Sequence, residues 1–488
     1  MTPILYDKVT RDIKDYVFHY HIQSPKAWHR ARIAFLDALG CAVETVSESA
    51  ECRRLFGPFV PGSTTPDGFS LPGTSYELDP VKGAFDMGTA IRFLDHNDAI
   101  AGADWGHPSD NIGAILAVTD WLSRSSASGR ITHKGPPLTI DTLLTAIIKA
   151  YEIQGCFLLQ NAFHAHGLDH VILVKLASTA IVSWLLGCSE KQTEAAISHV
   201  WMDGHPLRVY RSGTNTIPRK GWAAGDACMR AVHLALLAKA GQLGSPTALT
   251  MPRWGFYATM WDGKEFQLPK AMGSWVIENV FFKSMPVEGH GISAVEAALV
   301  HSQTLRARGL DPVRHIARVA IRTNAAANLI INKTGTLTNA ADRDHCMQYV
   351  VALALLKGGA PEVKDFQDGS PWASSESLSS LRERIEISED GGMTRDYLDW
   401  EKKSLASGVT VVLTDGTCLD EVVVEFPVGH VNSEKTEEQV REKLIRNLGL
   451  MFSRAEIVRA VEMLEEGERS IHSFGDLFAR ERDTGAKL

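Results

Sequence analysis

A mainly α-helical chain with an α+β second domain is the fold class this sequence predicts, on three observations. Apolar residues recur at helical spacing to about residue 270, two β-branched stretches follow, and helical spacing returns after Pro427. At 488 residues the chain exceeds what one core usually covers, so two domains are expected.

In the first region Ile33, Phe35, Leu36 and Leu39 mark one helix face, and Leu143, Leu144, Ile147, Ile148 and Tyr151 mark another. Helix starts fall at Asp110 or Asn111, at Asp141 or Thr142, and at Asp226, where a side-chain oxygen can meet free backbone N–H groups. Gly155, Gly187 and Gly241 are expected to close three helices. Further on, IARVAIRT (316–323) and VTVVLTDGTCLDEVVVEF (409–426) read as strands, with Asp415-Gly416 as the positive-φ pair of a tight hairpin. The stretches 125–135 and 365–395 read as exposed connections. The expected organisation is a helical domain over 1–274, an α+β insertion over 275–430, and C-terminal helices over 431–488 that rejoin the first domain.

Composition narrows the function. The chain has 50 basic and 58 acidic side chains and a formal charge of −8, so no basic face for nucleic acid is expected. No run of about 18 apolar residues suits a membrane. The start, MTPILYDKVTRDIKDY, lacks a signal core and a leader-like composition, which makes the cytoplasm the expected location. Seven scattered cysteines without a C-x-x-C pair fit a reduced compartment and offer no iron–sulfur ligand spacing. Nucleotide-binding glycine motifs and G-x-S-x-G are also missing.

Four stretches could carry chemistry. LDHNDAIAGADWGHPSDN (94–111) gathers Asp95, His96, Asp98, Asp104, His107 and Asp110 before a predicted helix. It is either a pocket wall aimed at an anion or a solvated loop capped by Asp110. GLDHVILVK (167–175) carries Asp169 and His170, with His164 and His166 upstream; packed or capping histidines compete there with a metal site. LRVYRSGTNTIPRKGWAAGDACMR (207–230) supplies Arg208, Arg211, Arg219, Lys220 and Arg230, either to hold carboxylates bidentately or as an ordinary basic surface. ENVFFKSMPVEGHGISAVEAALV (278–300) puts Lys283 after an apolar run and His290 ahead of a helix. That lysine either binds a carboxylate or transfers a proton, or else snorkels to the surface.

The runs LDPVKGAFDMGTAIRFLDHND, DWGHPSDNIGAILA, GLDHVILVKLAST, RKGWAAGDA, PRWGFY, NAADRDHCMQY and TDGTCLDEVVVEFPVGH resemble successive segments of the 2-methylcitrate dehydratases of the MmgE/PrpD family. The resemblance implies a helical domain plus a smaller α+β lid domain, a homodimer, a tricarboxylate substrate, and neither metal nor cofactor. By comparison with related cis-aconitate decarboxylases it implies catalytic roles for Asp95, His107, His170 and Lys283. Asp98, Asp104, Arg208, Lys220, Arg230, His290 and His345 are the implied substrate-binding set.

Departures from the family pattern are Ala99, His96, Gly289, Gly291, Ile292 and the His164-Ala165-His166 string. They remove volume and polar contacts near the presumed site, so a 2-alkylcitrate longer than 2-methylcitrate is an alternative substrate. Cis-aconitate-type decarboxylation and an inactive carboxylate-binding homologue are the competing functions. Dehydration needs a base, an acid and stabilised enolate-like charge, and which residue is base and which is acid stays open at this level.

Overall fold

The computed structural model describes residues 5–211 and 216–480. Two hydrophobic cores organise it. The larger gathers helical residues from Ile13 to Phe282 and again from Val440 to Phe478. The smaller runs from Phe281 to Leu419 and also takes in Ala99, Ala101 and Trp105 from the first region. A loop of the helical domain is therefore built into the core of the α+β domain.

The helical domain is carried by α1 (Pro25–Glu48), α2 (Pro80–Arg92), α3 (Ile112–Ala127), α4 (Ile140–Leu158), α5 (Val171–Leu185) and α6 (Arg219–Lys239). Helix α2 starts as its sequence dictates, with Pro80 in the first turn and the Asp79 carboxylate accepting from the backbone N–H of Val81 at 2.9 Å and Lys82 at 3.0 Å. Glycines let α2, α3 and α6 touch backbone to backbone. A Cβ on Gly113 would lie 2.5 Å from the Gly88 Cα, and one on Gly221 would lie 3.0 Å from the Phe93 Cα. The pairings Gly88 with Gly225 and Phe93 with Gly221 run antiparallel, so Arg92 at the end of α2 meets Lys220 at the start of α6.

Three of the expected helix signals differ in the structure. Helix α6 begins at Arg219, not Asp226, because the segment Lys220–Ala224 is already packed against α2. The middle of the loop read before it, residues 212–215, lies outside the described residues. Helix α4 is capped by Thr139 rather than Asp141 or Thr142, and Gly155 lies inside it, where Val276 packs on the bare Cα. Gly187 and Gly241 do take the left-handed conformation, at φ +73° and +93°.

The α+β domain holds α7 (Ile292–Ala307), α8 (Met347–Lys357) and α9 (Gly391–Leu398), with β1 (Ile316–Thr323), β2 (Ile385–Glu389), β3 (Ser407–Leu413) and β4 (Val422–Val424). The sheet order is β2-β1-β3-β4, with β2 parallel to β1 and the other pairs antiparallel. The stretch read as an exposed 365–395 connection thus contains an edge strand and two short helices. At the 415–416 turn only Gly416 has positive φ, at +87°, so the predicted Asp415-Gly416 pair is a single left-handed glycine. Helix α10 (Thr436–Leu448) then packs on α1, where the Lys443 ammonium lies 2.8 Å from Asp37 and 2.6 Å from the backbone oxygen of His96. Among the described residues no helix is long and apolar enough to cross a membrane.

Candidate active site

A short backbone pairing links the two domains. Ala99 and Phe281 exchange backbone hydrogen bonds of 2.8 Å each way, and Ile100 pairs with Gly106 to close the loop on itself. This stitching brings Asp95 and His107 on one side to Lys283 on the other.

Asp95 follows α2 and sits at φ +54°, a conformation that aspartate tolerates better than most residues and that is strained for a side chain buried this deeply. Its carboxylate is ion-paired to Arg92 and to Lys283, the latter at 2.9 Å, and lies 3.8 Å from His345 Nδ1. The Lys283 ammonium also donates to the Asp95 backbone oxygen at 2.9 Å, which pins the strained residue from across the joint. Beside this pair, Lys220 donates to Asp344 at 2.9 Å, His345 Nδ1 donates to the same carboxylate at 2.5 Å, and the Lys220 ammonium lies 3.0 Å from that nitrogen. Three cations, Arg92, Lys220 and Lys283, thus meet Asp95 and Asp344 in one buried cluster, with the Glu288 carboxylate acting on Lys283 from nearby.

Electrostatics set the protonation states. Burial would raise the Asp95 pKa, but the charges of Arg92, Lys283, Lys220 and His345 outweigh it and hold the group well below the usual carboxylate range. Burial, reinforced by Arg92 and Lys283, holds His107 well below the usual imidazole value. Burial likewise pushes His170 down to about 3 and, with Lys220, His345 down to about 4. Burial pulls the Lys283 ammonium down from its ordinary value while Asp95 pushes it back up.

His107 precedes Pro108, which favours the extended conformation observed at φ −123°, and Pro108 opens the turn leading into α3. Its Nδ1 meets the Asp98 backbone oxygen at 2.7 Å. A carbonyl can only accept, so Nδ1 carries the proton and Nε2 keeps the lone pair. The His170 ring lies 5.7 Å from that of His107, and neither His170 Nδ1 nor Asp95 Oδ2 finds a hydrogen-bond partner among the described residues. Buried, unsatisfied polar atoms beside a neutral base are what a site with unmet ligand contacts looks like.

Asp95, Asp344 and His345 present possible ligand atoms within 4.8 Å of one another, a spacing that could hold a cation. Lys220 and Lys283 already put ammonium groups against those same atoms, so a divalent ion would face two positive charges at contact distance. The donor set fits a carboxylate guest better than a metal.

The chain matches the MmgE/PrpD N-terminal domain over residues 11–269 and the MmgE/PrpD C-terminal domain over residues 285–466. The chain belongs to the MmgE/PrpD family. Among curated relatives it is 60% identical to alkylcitrate dehydratase phiI of a fungal species (strain ATCC 74256), over 99% of this chain and 95% of that one. It is 51% identical to the 2-methylcitrate dehydratase-like protein oryR of Aspergillus oryzae, over 97% and 96%. With the 2-methylcitrate dehydratase of Escherichia coli K12 the identity is 46%, over 94% and 93%.

In this MmgE/PrpD chain the other predicted site residues divide. Lys220 and His345 join Asp95, whereas Arg230 does not. Ten residues along α6 carry Arg230 about 15 Å from Lys220, where, half-exposed, it pairs with Asp203. Asp98 contributes its backbone oxygen to His107, one oxygen of its carboxylate accepts from the Ser109 backbone at 3.0 Å while the other finds no hydrogen-bond partner among the described residues, and burial pushes the group up to about 6. His290 has both nitrogens engaged, by Glu288 at 3.0 Å and the Tyr397 hydroxyl at 3.0 Å, and packs its ring 4.4 Å from Trp105. It therefore holds Trp105 and has no nitrogen left for substrate. Asp104 accepts from the backbone N–H of Trp105 at 2.9 Å and of His164 at 3.0 Å, and Arg208 stands 4.0 Å away.

Of the unusual residues, Gly289 has a clear reason: a Cβ there would sit 2.2 Å from the Trp105 ring. His166 stacks on Trp261 at 4.0 Å, the packed role and not the ligand one. Arg92, Asp344, Trp105 and Tyr397 escaped the sequence reading. Arg92 alone left a signal, as a basic residue three positions before Asp95.

Proposed function

We propose that this chain removes water from 2-methylcitrate or a longer 2-alkylcitrate, giving the corresponding 2-alkyl-cis-aconitate. The observation that carries the reading is a neutral His107 with its Nε2 lone pair free, set beside the buried cations Arg92 and Lys283. Relatives named for dehydration of these acids support the substrate class.

In the proposed sequence Arg92, Lys220 and Lys283 take the carboxylates and the enolate-like charge. His107 Nε2 accepts the proton from the carbon beside a carboxylate, the electron pair forms the double bond, and the neighbouring C–O bond breaks. A proton from the Lys283 ammonium, loosened by burial, leaves with hydroxide as water, and the His107 proton returns to Lys283 through solvent. Asp95 stays ionised, so it positions Lys283 and supplies no proton. His170 orients substrate from the far side of His107. The reaction is proposed to run without metal, and the protein as a cytoplasmic homodimer divided at 274 and 430; a relative from Yarrowia lipolytica is named mitochondrial.

Incubation of chelator-treated enzyme with 2-methylcitrate and longer homologues tests this. Ultraviolet-absorbing product with all carbon retained is expected. Carbon dioxide release from an aconitate would replace the reading with decarboxylation, and binding without turnover would replace it with a non-catalytic role.

A further inference from the structure

One cleft reaches the buried cluster and another lies beside it. The first, of about 330 Å³, reaches Lys220 and Asp344 and has a mixed polar wall including Glu51, Arg54 and Asp368. The other, of about 460 Å³, lies between the Trp105 loop, the 325–330 segment and α9. Ala325, Ala326, Leu329, Ile330 and Leu398 form its outer wall. Leu329 and Leu398 are 75% and 58% exposed, an arrangement that costs hydration and is retained at the mouth of a cleft. At the inner end stand Trp105, two residues before His107, and Arg211, whose guanidinium is fixed by Asp169 at 2.5 Å beside His170. Arg208 Nη1 is buried there without a hydrogen-bond partner among the described residues.

From this geometry we infer that the second cleft is the alkyl subsite: it receives the chain on C2 of a 2-alkylcitrate longer than 2-methylcitrate, with Trp105 as its floor. The inference rests on the dehydratase reading above. Polarity decides which cleft takes the chain. The apolar wall begins where the cationic end stops, matching a ligand whose carboxylates are at one end and whose methylenes trail from the other. The first cleft would strand a hydrocarbon against charged groups. Trp105 sets the boundary, since Gly289 admits its ring and His290 packs against it with ring centroids 4.4 Å apart. The outer wall is exposed at Leu329 and Leu398, so chain length is limited weakly at that end, and selection falls on the first few methylenes.

Two variants test this without touching the catalytic cluster. Ala326→Phe fills the cleft, and Leu329→Asp puts a charge at its mouth on a side chain too exposed to unfold the protein. Turnover and calorimetric binding are measured for 2-methylcitrate and 2-hexylcitrate. The expected result is a fall of at least about tenfold in kcat/KM and affinity for 2-hexylcitrate, with 2-methylcitrate changed by less than about threefold. Equal losses for both acids, or no loss for either, overturn the subsite. If wild-type enzyme turns over neither acid, the dehydratase reading fails, and the binding ratios alone still decide the subsite: a preference of wild type for the hexyl acid that both variants lose supports it, and its absence overturns it.

Discussion

Asp95 and Asp110 are both fully buried carboxylates at the two ends of one loop, yet they are charged differently. Asp95 is ion-paired to Arg92 and Lys283 and stays ionised, whereas burial, with Asp98 nearby, pushes Asp110 up to about 7 against the more distant Arg92 and Arg211 and a 3.0 Å amide contact from Asn97. Burial is the same in the two places; direct pairing with cations is not. The loop thus concentrates permanent charge at the point where the domains meet and keeps its other end nearly neutral, as a support for the turn that aims His107. Each expected outcome below tests that division.

The largest effect is expected at Lys283. Removing it as Lys283→Ala strips Asp95 of its cross-domain ion pair and leaves a buried carboxylate paired to Arg92, with Lys220 and His345 further off, which should cost about 3–5 kcal/mol of stability. Thermal denaturation of the variant should show it, together with loss of turnover. A stability change under 1 kcal/mol would mean the pair is not what joins the domains.

His107→Gln should lower kcat by about 10²–10⁴ with an unchanged circular dichroism spectrum. In the wild type, His107 and His170 are already neutral in the free enzyme, so kcat/KM should stay flat from pH 7 down to about 5. An acidic limb near the ordinary imidazole value would show that His107 is not held neutral.

Asp110 makes a subtler contrast. Its folded pKa of about 7 lies above its unfolded value, so its contribution to stability is full below the unfolded pKa and is lost as pH rises to about 7. Asp110→Asn has no proton to lose. Its melting temperature should therefore gain on the wild type between pH 4.5 and 7, by about 1.4 kcal/mol per pH unit at most, and then run parallel. Turnover should change by less than tenfold, and a loss as large as that of His107→Gln would assign Asp110 to the chemistry.

The smallest effect belongs to Arg230→Ala, which breaks only a half-exposed pair with Asp203 and should leave kcat/KM within about twofold.

The same contrast explains what could be read from sequence. His107 and Lys283 lie in unusual strings, GHPSD and FKSMP, whose residue types already restrict the backbone around them. The alternation in 316–323 and 409–413 exposes strands because one face of each must be buried. Helix α6 started early because glycines at 221 and 225 read as loop residues in isolation, while in the fold they permit contact with α2. Asp344 and Tyr397 were invisible for a related reason. Each is an ordinary residue of a helix or a helix end until tertiary packing places it against Asp95 or His290, and no local pattern encodes that distance.

The account stands on Asp95 as an ionised group that organises cations across the joint. Asparagine accepts the left-handed backbone at this position and keeps the shape while removing the charge. Measured with 2-methylcitrate, Asp95→Asn should retain a folded spectrum and lose at least about a hundredfold in kcat/KM; a folded variant with near wild-type turnover would contradict the account.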